Sequence, residues 1–141
     1  MVAATLLAGG SGGKAAFIGG TTSAFEERTA GRIDTSDARL LTFSAKAQRL
    51  QIAYDRINQL EYGQKVDRRY ISAMLLSPLF LLAKSRKHFL TIGYTDREGE
   101  QQALIFQVEK GDVRAVLVGL EARTGRKITF QDEEARKAGK G

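Results

Sequence analysis

The hydrophobic period of this chain changes from two to 3.6 just after Val108, and that change constrains the fold more than any other feature. Upstream, apolar residues recur at every second position, as in a sheet with one buried face. Gln102-Ala-Leu-Ile-Phe-Gln-Val108 and His88-Phe-Leu-Thr-Ile-Gly-Tyr94 read as two strands joined by the Gly-containing hairpin Asp96-Arg-Glu-Gly-Glu100. Downstream, Val113, Val116, Leu117 and Leu120 recur at helical spacing. Asp112 precedes this stripe as an N-cap, Gly125 follows it at C′, and Arg123 suits the negative end of the helix dipole. A chain built this way is a run of strands closed by one amphipathic helix.

Earlier segments extend the pattern. Arg39–Ala45 is rich in β-formers, with Leu41 and Phe43 on one face. Leu50, Ile52 and Tyr54 alternate with Gln51 and Ala53, and Leu60 and Tyr62 with Gln59 and Glu61. Ala45–Gln48 reads as a hairpin turn and Asp55-Arg56 as a tight connection. Ala15-Ala-Phe-Ile18, ended by Gly19-Gly20, is a candidate first strand, and Thr21–Ala30 a polar loop. Lys127–Phe130 is a candidate last strand. Short strands in succession without βα alternation predict a sandwich or barrel.

We therefore expect three parts. Residues 1–13 form a flexible leader hinged at Gly9-Gly-Ser-Gly-Gly13, residues 14–130 a single domain, and residues 131–141 a charged, disordered tail. The domain is an antiparallel barrel or sandwich of about seven strands, capped by a helix over 112–124 and interrupted by a hydrophobic, helical insertion over 66–83.

Several chemistries lack their residues. With no cysteine in 141 residues, disulfides, thiol catalysis and cysteine-ligated metals are excluded. Gly9–Gly13 formally matches a nucleophile elbow, but lacks the strand before, the helix after and the histidine base that it needs. The same run before Lys14 fails as a phosphate loop, because Ala8 replaces the first glycine and Ala15 the magnesium-binding hydroxyl. His88 is the single histidine and reads as a surface residue at a strand start. The carboxylate runs Glu26-Glu27 and Asp132–Glu134 read as solvated charge. We expect no enzyme, no cofactor and no metal.

The one unusual constellation is basic, apolar, basic. Lys65-Val-Asp-Arg68-Arg69 precedes Tyr70-Ile-Ser-Ala-Met-Leu-Leu-Ser-Pro-Leu79-Phe80-Leu-Leu-Ala83, and Lys84-Ser-Arg86-Lys87-His88 follows. Ile71, Met74 and Leu75 have helical spacing, and Ser77-Pro78 can restart a second short turn. As a surface hairpin it would meet anionic lipid headgroups, each cation contributing on the order of 1 kcal/mol. Full burial of Leu79, Phe80, Leu81 and Leu82 would add about 1.5–3 kcal/mol apiece. The alternatives are that the segment belongs to the domain's own core or forms a homodimer interface.

Strands from about Gly31 to Val108, followed at once by the helix, resemble the pleckstrin-homology-like superfold, which includes lipid-associated GRAM domains and bacterial relatives. Lys87–Asp96, Ala103–Val108 and Gly111-Asp-Val-Arg-Ala-Val-Leu117 look like the last hairpin and capping helix of such domains. The resemblance implies a scaffold for phosphoinositides, other lipids, peptides or proteins. Lipid-binding members often carry basic residues around their first hairpin, where this chain has only Arg28 beside Glu26 and Glu27.

The net charge of +6 favours an anionic partner. Nucleic acid is not expected, because Phe43, Tyr54 and Tyr62 alternate with polar residues as core positions do. The expected function is a cytoplasmic binding module, peripheral at the inner membrane face, whose binding residues are Lys65, Arg68, Arg69, Leu79, Phe80, Lys84, Arg86 and Lys87. The alternative is a protein-binding or self-associating scaffold using the same segment.

Overall fold

The computed structural model describes residues 12–21, 25, 28–65 and 87–140. The chain is mainly β. Its strands are β1 (Gly12–Gly20), β2 (Thr29–Asp34), β3 (Leu40–Ala45), β4 (Gln48–Ala53), β5 (Ile57–Gly63), β6 (Phe89–Thr95), β7 (Gln101–Val108) and β8 (Thr129–Phe130). Two helices follow β7: α1 (Val113–Thr124) and, after β8, α2 (Glu133–Gly139). The strands form one eight-stranded sheet in the order β4-β3-β2-β1-β7-β6-β5-β8. Every pairing is antiparallel except β5 with β8, so the sheet is mixed, and β4 and β8 are its two ends.

The expected alternation sets the inner face. Phe17, Ile33, Phe43, Ile52, Leu60, Leu90, Ile92, Leu104 and Phe106 share one buried cluster with Val113, Val116, Leu117 and Leu120 of α1. Residues from β1 through β7 meet in this cluster, so the sheet curves around it while its ends stay unpaired with each other. Four phenylalanines form its centre, Phe17, Phe25, Phe43 and Phe106, with ring centroids 4.9–6.5 Å apart. Phe25 lies within the stretch read as a polar loop, yet it is buried.

Sequence and structure differ at four further places. β2 was not anticipated as a strand, because Thr29-Ala-Gly-Arg-Ile-Asp34 buries only Ile33 fully and carries no apolar alternation. It exists because β1 and β3 bond it from both sides. Gly12 and Gly13 are not hinge residues but the first residues of β1, where a β-carbon on Gly13 would overlap the Asp112 side chain. Asp112 makes no side-chain cap on α1; its Oδ2 instead accepts the Lys14 amide at 2.9 Å, tying the helix start to β1. Finally, part of the tail folds: Asp132 caps α2 by accepting the Ala135 amide at 2.8 Å, and Ala135 is fully buried.

The other end of α1 is as expected and more firmly held. Gly125 adopts the left-handed conformation and donates to the Glu121 carbonyl at 2.9 Å. Arg123 donates to the Thr35 and Ser36 carbonyls at 2.9 and 2.8 Å, and Arg126 Nε to the Ile57 carbonyl at 2.9 Å. These bonds lock the helix to the β2–β3 turn and to the start of β5. In the β6–β7 hairpin, Asp96 accepts the amides of Glu100 and Glu98, which holds its carboxyl below the usual carboxylate range.

Tyr54 gives a pH-dependent prediction. Its hydroxyl is buried without a hydrogen-bond partner, and burial pushes its pKa up to about 12. Burial raises Tyr62 and Tyr94 as well. Between the unfolded value near 10 and the folded one, the native state holds protons that the unfolded state has lost. Stability is therefore full below about pH 10 and falls as pH rises toward 12. Urea midpoints measured across this range should drop, and Tyr54→Phe should flatten the decline without destabilising the protein at neutral pH. An unchanged slope in the variant would remove Tyr54 from the account.

Candidate basic cleft

β1 and β2 pair so that Lys14 lies directly opposite Arg32. Like charges in such a cross-strand position repel, and both side chains are exposed. Their strands end where β7 ends and β6 begins, which brings Lys87, His88, Glu109 and Lys110 to the same end of the sheet, while α2 supplies Lys137. Together these residues line a cleft of about 1550 Å³, floored by Ala15, Ala16, Ala30, Gly31 and Val108. Among the described residues, five cations thus share its lining with one carboxylate, Glu109. Lys14, Arg32, Lys110 and Lys137 have no salt-bridge partner among the described residues.

His88 belongs to this cleft rather than to open surface. It is half-buried, and its ring stacks on Tyr62 with centroids 5.5 Å apart and planes 13° apart. Its Nε2 is buried and unpartnered. Among the described residues, Glu109 is the carboxylate in the cleft lining, and Asp112 accepts the Lys14 amide. The arrangement can concentrate and hold an anion through charge and through the donors of lysine and arginine.

Of the eight binding residues expected from sequence, Lys65 and Lys87 are described, and both are exposed. Lys87 lines the cleft; Lys65 does not. The Lys65 backbone is held beside β8, its amide donating to Gln131 Oε1 at 3.0 Å and its carbonyl accepting from Gln131 Nε2 at 2.6 Å. Arg68, Arg69, Leu79, Phe80, Lys84 and Arg86, with the insertion over 66–83, lie outside the described residues. Sequence reasoning missed Lys14, Arg32, Lys110 and Lys137, which come from four separate segments and meet only through the topology.

No described helix is long and apolar enough to cross a membrane. No protein-family model, no curated protein and no solved structure matches this chain.

Proposed function

We propose that the chain is a non-enzymatic, pleckstrin-homology-like binding module that docks reversibly on anionic lipid surfaces, with the basic cleft as its contact. The observation that carries this reading is the retained Lys14–Arg32 juxtaposition inside a concavity that also gathers Lys87, Lys110 and Lys137. Such mutual repulsion is relieved when an anion enters. The order of elements supports the superfold: strands β1–β7, antiparallel in every pairing among them, are followed by α1, which packs into their common core. A barrel-like enclosure, with the gap between the end strands β4 and β8 left open, is the finer form of this reading.

Five cations at about 1 kcal/mol each give roughly millimolar to sub-millimolar affinity, which means reversible and salt-sensitive association. The test is co-flotation with phosphatidylserine-containing and neutral vesicles, at low and at high salt. Selective flotation with the anionic vesicles at low salt is expected. The double variant Lys14→Gln/Arg32→Gln should reduce partitioning by about 30-fold, the loss of two such cations. Both side chains are exposed, so folding should be unaffected. No flotation under any condition, joined to a mass that rises with concentration, would replace this reading with a self-associating scaffold.

A further inference from the structure

The two ends of the sheet are finished differently. β8 is two residues long, which leaves little edge for another strand to pair with. β4 is six residues long and keeps unbroken register with β3, from Leu40 opposite Ala53 to Ala45 opposite Gln48. It has neither the proline nor the bulge that commonly blunts an edge. Tyr54 donates its amide to the Arg39 carbonyl at 2.9 Å, which makes 39 and 54 a hydrogen-bonded pair. Alternation along an antiparallel ladder then turns the amides and carbonyls of Arg49 and Gln51 away from β3. Among the described residues nothing bonds these four groups.

The charge of this edge selects what can pair with it. From Leu40 to Ala53 the hairpin carries Lys46 and Arg49 and no carboxylate. Both cations are exposed, and neither has an ion-pair partner among the described residues. A second copy pairing along β4 would add its own cations to these, and like charges across strands repel. Arg49 and Gln51 lie on one face of the strand, Leu50 and Ile52 on the other, where Leu50 is half-buried against the core. We propose that β4 accepts an extended protein segment as an added strand, one in which acidic residues alternate with apolar ones. Main-chain bonds to Arg49 and Gln51 hold the segment. A carboxylate stands opposite Arg49, and an apolar side chain beside Leu50 completes the cover of the core's rim. No residue of this hairpin lines the basic cleft, so the surface is separate from the lipid contact.

The probe is a short fluorescein-labelled peptide of alternating Glu and Val, titrated with the full chain. Anisotropy should show saturable binding, and the Arg49 and Gln51 amides should gain hydrogen-exchange protection when the peptide is bound. A Lys/Val peptide of the same length should bind about tenfold more weakly, and Arg49→Glu should reverse that preference. N-methylation of the peptide amides that face β4 should abolish binding while leaving every charge in place. Gln51→Pro should do the same in a protein that still melts cooperatively, because the amide it removes points away from β3. The N-methylated peptide carries the test if that variant fails to fold. Absence of binding overturns the proposal. So does equal binding of the N-methylated peptide, which would mean attraction by charge alone. A mass that rises with concentration and is reduced by Gln51→Pro overturns it too, since the occupant of β4 would then be a second copy.

Discussion

Phe106→Ala is expected to cost about 3–5 kcal/mol, the usual range for deleting a fully buried aromatic side chain. Phe106 is 1% exposed, and its ring lies 5.9 Å from Phe17 and 4.9 Å from Phe43. Its strand sits at the middle of the sheet, bonded to β1 on one side and β6 on the other. The neighbouring backbone therefore cannot collapse into the space left behind, and the cavity term adds to the lost transfer energy. Domains of this size have about 5–15 kcal/mol in total, so the variant would sit near its unfolding midpoint under mild denaturant. Phe130→Ala makes the comparison, since Phe130 is only half-buried and meets Tyr62 edge-on at 6.3 Å. Urea denaturation should rank the Phe106 loss well above the Phe130 loss. A Phe106→Ala loss below about 1 kcal/mol would mean that the four rings are not the centre of the core.

That centre was only partly legible in the sequence. Phe43 and Phe106 sit in alternating runs, whose period reports one buried face directly. Phe25 has no such run around it; it is an isolated aromatic among polar residues, and only tertiary contact with Phe17 and Phe43 makes it core. β2 was hidden for a related reason. A strand bonded on both sides needs few apolar side chains of its own, because its neighbours supply the ladder. α1 was legible because a surface helix must carry its own stripe, and all four stripe residues are buried. Its start was misread for a geometric reason: Asp112 is a good N-cap by composition, but the closer donor is the Lys14 amide across the turn. The basic cleft was least visible. Its net signature, +6, belongs to the whole chain, and the cations that form the cleft lie as far apart in sequence as Lys14 and Lys137. Lys87 alone stood within a basic run that sequence could single out.

The second large effect is expected where α1 meets the β2–β3 turn. Gly119 lies inside the helix, where glycine ordinarily costs about 0.5–1 kcal/mol against alanine. The fold keeps it there because a β-carbon at 119 would overlap Thr35 Oγ1, and Thr35 is itself 2% exposed. One turn later Arg123 grips the Thr35 and Ser36 carbonyls, so the helix cannot slide away to make room without breaking both bonds. Propensity and packing therefore oppose each other at this site. Packing wins, because an overfilled contact between two fixed elements costs about 1–3 kcal/mol or more. Gly119→Ala should lower stability despite its better helix propensity, and Gly119→Val should lower it further. Thr35→Ala should offset part of the loss in a double variant, since it removes Oγ1 and Cγ2 from the contact. A Gly119→Ala protein more stable than the parent would show that α1 has freedom to shift against the sheet. The Arg123 bonds would then be followers of the helix position rather than its cause.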